Sequence, residues 1–166
     1  MGSRREARER AVQFLFQYDL NPPDEAGAAL EEFWRSLRAA SQDRGPHPAA
    51  PAEAGAAAPP DTAETALRLF ADPLIRGTLE HRDEIDARIK RLARNWELHR
   101  MATVDRNVLR LAIYEMLYRQ DIPPVVSINE AVDIAKKYST DDSGRFVNGI
   151  LDSLRKELLR PARVGV

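Results

Sequence analysis

Thr103-Val104-Asp105-Arg106-Asn107-Val108-Leu109-Arg110-Leu111-Ala112-Ile113-Tyr114-Glu115-Met116-Leu117 is the stretch whose reading settles the architecture. Wound as a helix, its Val104, Val108, Leu109, Leu111, Ala112, Ile113, Met116 and Leu117 take up most of the circumference. Only the rows Arg106/Arg110 and Glu115/Arg119 are clearly polar. A helix that is apolar nearly all round belongs in the centre of a bundle, because any outer position leaves apolar surface in water. Thr103 is placed to cap it, and Asp121-Ile122-Pro123-Pro124 to end it near Arg119.

The segments on either side read as helices that surround it. Downstream, Ser127-Ile128-Asn129-Glu130 has capping-box spacing, and Ile128, Ala131, Val132, Ala135 and Tyr138 then form one stripe. A last helix is expected from Asp142 or Ser143, with Val147, Ile150, Leu151, Leu154 and Leu158 at helical spacing. Upstream, the first helix should run from Arg4 to Tyr18 and stop at Asn21-Pro22-Pro23, and the second from Asp24 to Ala40. Asp61 or Thr62 caps a helix through Phe70. Asp72-Pro73 then reads as an N-cap with proline at the first helical position, opening a long helix to about Trp96. Between the second and third helices, residues 41–60 are rich in Pro, Ala and Gly without a large apolar side chain, and are expected to form a flexible insertion. No segment alternates like a strand. The expectation is one all-α domain over residues 1–166, a compact bundle of about seven helices.

Composition narrows the function. The 166 residues are 43% apolar and only 7% aromatic, so the core must come mainly from Ala, Leu, Val and Ile. The absence of cysteine rules out disulfides and thiolate zinc sites. Nothing resembles a signal peptide, and no window approaches the roughly 18 apolar residues of a membrane span, so a soluble, cytoplasmic protein is expected. There is no GxSxG, GxxxxGK[ST] or GxGxxG motif. The three histidines, His47, His81 and His99, have no partner at metal-ligand spacing. No catalytic residue, cofactor or metal site is expected.

Net charge is −1, but its distribution is uneven. Arg4, Arg5, Arg8 and Arg10 crowd the first helical turns against Glu6 and Glu9, and Lys90, Arg91, Arg94 and Arg100 form a second basic stretch. On a helical wheel Arg4, Arg8 and Arg5 fall within about 100 degrees of one another, on the arc that Ala11, Val12, Leu15 and Phe16 occupy further along. If the helix docked along its whole length these arginines would be buried without partners. The simpler expectation is that its first two turns project past the core as a ridge of guanidinium groups, suited to phosphate and to stacking on bases. A solvated face held by Glu6–Arg10 and Arg5–Glu9 pairs is the equal alternative from spacing alone.

TVDRNVLRLAIYEML, IPPVVSINEAVDIAKKY and DDSGRFVNGILD, in this order, together with the opening RREARERAVQFLFQYDL, resemble the NusB family over Arg4 to Leu20 and Asp72 to Leu158. The resemblance implies two packed helical subdomains and no catalytic residue. It also implies a protein that binds boxA RNA of rRNA leader transcripts with the ribosomal protein NusE and joins elongating RNA polymerase. Family members occur as monomers and as dimers. On this resemblance Arg4, Arg5 and Arg8 match arginines of the RNA-contacting first helix, although Glu6 stands where another basic residue is common. Asp142, Arg145 and Phe146 fall in the D-S-x-[RK]-F motif near the RNA path. Phe16 and Asp105 match positions at the NusE contact.

Local readings stand beside each of these. Phe146 also suits the core, Asp105 the positive end of a helix dipole, and Asp142 an N-cap. Gly149 suggests a close helix approach. Two other functions stay open: an accessory domain of an rRNA cytosine methyltransferase, which needs a further catalytic domain, and a helical protein-binding module with no RNA role.

Overall fold

The computed structural model describes residues 3–43 and 61–159, which form seven α-helices and one short 3-10 turn with no strand among them. The helices are α1 (Arg4–Leu20), α2 (Ala26–Asp43), α3 (Thr62–Glu80), α4 (Arg82–Leu92), α5 (Thr103–Tyr118), α6 (Pro124–Tyr138) and α7 (Asp141–Leu159), with the turn at Leu98–Arg100 between α4 and α5. Most of the expected 41–60 insertion lies outside the described residues, but Ser41–Asp43 still belong to α2.

Helix α5 is central, as its sequence demands. It packs against α1, α3, α4, α6 and α7. Val108, Leu109, Leu111, Ala112, Ile113 and Met116 are all buried, each large side chain contributing about 1.5–3 kcal/mol of transfer free energy. One residue of each polar row is buried too, Arg110 and Glu115, while Arg106 and Arg119 are half-buried. Arg110 is enclosed by Asp86 and Asp19, and Glu115 by Arg8 and Ser127. The charges are tolerated because each meets its counter-charge inside the protein.

Three local expectations give way to tertiary contacts. Asp72-Pro73 does not start a helix, because α3 runs through Pro73 to Glu80. The Asp72 carboxylate is taken by Trp34 Nε1 at 2.9 Å and Arg68 Nε at 3.2 Å, so it is not spent on capping. Burial of Ala71, Leu74 and Ile75 on the inner face holds the helix together across the proline, which is exposed. The chain breaks instead at His81, and α4 ends at Leu92, short of Trp96.

The Ser127–Glu130 capping box is not formed either. Helix α6 begins at Pro124, whose missing N–H costs nothing in the first turn. Ser127 therefore lies a turn inside the helix. In α7 the cap is Thr140, whose Oγ1 accepts from Ser143 N at 3.0 Å, and Asp142 is left exposed.

The close helix approach expected at Gly149 occurs at Gly77 instead. A Cβ on Gly149 would meet nothing within 4 Å, so no helix approaches it. A Cβ on Gly77 would lie 2.1 Å from Tyr114 Cζ, and it is this glycine that lets α3 close on α5.

Candidate nucleic-acid interface

Helix α1 is capped by Ser3, whose Oγ accepts from Glu6 N at 3.0 Å, and it packs on α3 and α5 almost from its first turn, with Ala7 buried. The first two turns do not project beyond the core, and this corrects the expected guanidinium ridge. Arg8 is only 3% exposed. Its Nε and Nη2 donate to Glu115 at 2.9 and 2.8 Å, and Ser127 Oγ donates to the same carboxylate at 3.1 Å. A buried guanidinium with a buried carboxylate is a structural pair. It cannot meet an external phosphate without being pulled out of the core.

Arg4 and Arg5 are exposed. The Arg4 guanidinium lies 4.9 Å from the centroid of Phe70, a ring that Arg8 and Arg119 also approach, at 5.0 and 5.5 Å. Arg5 reaches across to α6, where its Nε donates to Glu130 at 2.7 Å and its Nη2 to Asp133 at 2.7 Å. The hydrogen bond to Glu130 is the main reason its pKa is raised. Arg10 pairs at 3.9 Å with Glu6. The Arg5 partners were invisible in the sequence, since Glu130 lies 125 residues away. The only local hint is that Glu130 and Asp133 share a helical face.

Further along α1, Glu9 accepts from Lys137 Nζ at 3.0 Å and from the Tyr138 hydroxyl at 3.1 Å. Long side chains thus join α1 to α6 in the same chain order, Arg5 to Glu130 and Asp133, then Glu9 to Lys137 and Tyr138. The exposed Lys136, Lys137 and Tyr138 connect the Arg4/Arg5 end to the start of α7. Gly144 leaves room for the Lys136 side chain, whose Cγ would sit 2.7 Å from a Cβ at that position.

At the start of α7, Asp142 and Arg145 are both open to solvent and lie 3.4 Å apart. Phe146 is half-buried. It packs against the core, and its ring meets Trp96 edge to face at 5.8 Å between centroids. It is thus a core residue with part of its ring at the surface.

Asp105 is not at the surface. It is buried beneath the start of α7, where its Oδ2 accepts from Ser143 Oγ at 3.0 Å while Oδ1 has no hydrogen-bond partner among the described residues. Burial pushes its carboxyl above the usual carboxylate range, and the Ser143 hydrogen bond only partly opposes this. Its expected place on a protein-docking surface is corrected accordingly, because its carboxylate faces inward to Ser143. Phe16 is half-exposed and lines a groove of about 630 Å3 between α1 and α2, together with Phe14, Tyr18, Phe33 and Leu37.

At the far end of α1, Asp19 receives Arg82, Arg106, Asn107 and Arg110. Burial alone would raise its pKa. The hydrogen bonds from Arg106 and Asn107 and the nearby positive charges outweigh burial and hold it low.

These features define an all-helical protein whose exposed polar groups line helix surfaces. No group of three or more His, Cys, Asp or Glu side chains that could hold a metal occurs among the described residues. The chain belongs to the NusB family, whose profile matches residues 5–156.

Relatives include the transcription antitermination protein NusB of Geobacter sulfurreducens, 44% identical over 158 residues and covering 95% of this chain and 97% of that one. The NusB of Thermodesulfovibrio yellowstonii is 41% identical over 162 residues, covering 93% and 92%. Among solved structures, T. maritima NusB superimposes with a TM-score of 0.72 at 37% identity, covering 93% and 92%. A structure of antitermination factors NusB and NusE in complex with dsRNA matches at 0.68 and 25% identity, covering 93% and 96%.

Proposed function

We propose that this chain is a non-enzymatic adaptor of transcription antitermination. In this reading it binds boxA RNA of rRNA leader transcripts together with NusE and carries both to elongating RNA polymerase in the cytoplasm. The observation that supports it most is the likeness, over nearly the whole chain, to a NusB that forms a complex with NusE and RNA. The exposed groups fit an RNA strand. Arg4 offers planar donors to phosphate, Arg5 beside it shares its guanidinium with Glu130 and Asp133, and Asp142, Arg145 and Phe146 stand at the start of α7. Asp142 can accept from base amino groups, while Arg145 contributes charge.

Arg8 and Asp105 act from beneath, Arg8 by anchoring α1 to α5 and Asp105 by holding Ser143 at the start of α7. Phe16, in its apolar groove, is the candidate contact for NusE. In this reading the described residues form one NusB-like domain, and the mass of the chain in solution distinguishes a monomer from a homodimer joined through an exposed face.

The test is binding of a boxA-like RNA, with and without NusE, across a salt series. Arg4→Ala with Arg5→Ala should weaken binding and flatten the dependence of log K on log salt by about 0.7 for each phosphate no longer neutralised. Affinity that ignores both salt and the substitutions would overturn the proposal.

A further inference from the structure

Trp96 is a large aromatic side chain that the fold leaves largely uncovered. It lies between the end of α4 and the 3-10 turn, 55% exposed, yet it is not on a slack loop. Its backbone N–H donates to Ala93 O at 3.0 Å, and the next turn is pinned by the buried Met101, whose N–H donates to Leu98 O at 3.2 Å. Phe146 packs against the indole at 69° between the ring planes, and Trp96 also borders a recess of about 470 Å3. The recess is lined with Trp96 by Lys90, which is exposed, and by Glu97, while Arg106 and Arg110 at its floor are held by Asp19 and Asp86. Arg94, Arg100 and Arg145 are exposed nearby in sequence or across the Phe146 contact, against the carboxylates of Glu97, Asp141 and Asp142.

A single exposed apolar side chain is ordinary, but an uncovered indole with exposed cations around it has both the apolar face and the charge that a polyanionic ligand can use. A ring beside cations suits one class of ligand best, a single-stranded nucleic acid, whose bases stack while its phosphates are neutralised. An apolar protein partner would gain from the ring but would have to desolvate the lysine and arginines.

We propose that Trp96 is a base-stacking residue of the RNA site: a nucleobase of single-stranded RNA lies against its exposed surface, with Phe146 packed against the indole as its support. This rests on the RNA-binding reading given above and adds to it a residue and a place, extending the path past the start of α7 toward Lys90. Phe146, half-buried under Trp96, becomes the support, and Trp96 the face that touches the base.

The chain offers its own probe. It has two tryptophans, and the other, Trp34, is 2% exposed. Titration of the full chain with a single-stranded boxA-like RNA should quench tryptophan fluorescence, and Trp96→Phe should abolish the quench while keeping affinity within about threefold, because an aromatic ring is retained. Trp96→Ala should weaken binding by about 5- to 150-fold, the range expected for removal of one base–aromatic stack, with its circular dichroism unchanged.

If the parent chain binds RNA by anisotropy without quenching, and Trp96→Ala binds equally well, the Trp96 assignment is wrong and the RNA-binding reading survives. Loss of NusE binding with RNA affinity intact would also overturn it, making the ring a protein contact. No RNA binding by the parent chain, with or without NusE, would remove both. Should Trp96→Ala fail to fold, the quench and its loss in Trp96→Phe still decide the matter.

Discussion

Arg8 offers the sharpest division between a ligand-binding and a structural arginine. Replacing it with Ala strands the Glu115 carboxylate, 1% exposed, with only the Ser127 hydroxyl as donor. Removing one partner of a buried ion pair costs about 3–5 kcal/mol, a large part of the roughly 5–15 kcal/mol that holds a typical domain folded. For a domain of this size each kcal/mol lowers the melting temperature by about 2–4 °C, so a fall of roughly 6–20 °C is expected. Removing the whole cluster, as in Arg8→Met with Glu115→Leu and Ser127→Ala, should recover most of this stability, since apolar replacements of buried pairs are often neutral.

Urea unfolding followed by far-UV circular dichroism measures the first effect. RNA anisotropy on the recovered triple variant measures the second, and its affinity should stay within about threefold of the parent, as every phosphate-facing cation remains in place. A structural role for Arg8 is refuted if Arg8→Ala destabilises by less than about 1 kcal/mol yet lowers RNA affinity and the salt slope as Arg4→Ala does.

Three further outcomes follow from the same geometry. Glu130→Gln with Asp133→Asn releases Arg5 from its internal carboxylates and should raise RNA affinity with a steeper salt dependence, whereas unchanged binding would show that Arg5 meets no phosphate. Asp105 has a raised pKa in the fold, so its ionisation works against folding as pH climbs from the unfolded value of about 3.9 through the folded one. Asp105→Asn lacks that ionisation and should gain stability relative to the parent between acid and neutral pH in urea titrations, and a difference that is flat with pH would contradict the burial argument. Gly77→Ala should cost about 1–3 kcal/mol by driving a methyl group into Tyr114, while Gly149→Ala, in open space, should be neutral or stabilise by up to about 1 kcal/mol through helix propensity. Equal effects in chemical denaturation would refute the packing assigned to these glycines.

Much of the helical framework is legible in the residues themselves. Periodicity places α1, α5, α6 and α7 within a few residues of their observed bounds, and Asn21-Pro22-Pro23 and Pro123-Pro124 fall at helix edges. Local chemistry misleads where a side chain has a better distant partner. Asp72 looks like a cap until Trp34 is beside it, and Ser127 and Glu130 look like a capping box until Glu115 and Arg5 claim them. Of the candidate site, the motif at Asp142, Arg145 and Phe146 can be read from the chain, but which of Arg4, Arg5 and Arg8 stays exposed, and the place of Trp96, emerge only from the structure.

What the amino-acid order determines alone is therefore the all-α class, the central place of the Val104–Leu117 segment and the family, because helical periodicity and motif spacing are properties of neighbouring residues. The fate of individual charges was decided only in three dimensions. Arg4, Arg5 and Arg8 share one arc of one helix, yet one stays in solvent, one is shared with α6 and one is enclosed against a glutamate 107 positions away. Burial of a charge depends on which counter-charge and hydrogen bonds meet it, and those partners are brought together by tertiary folding and not by the spacing of the chain.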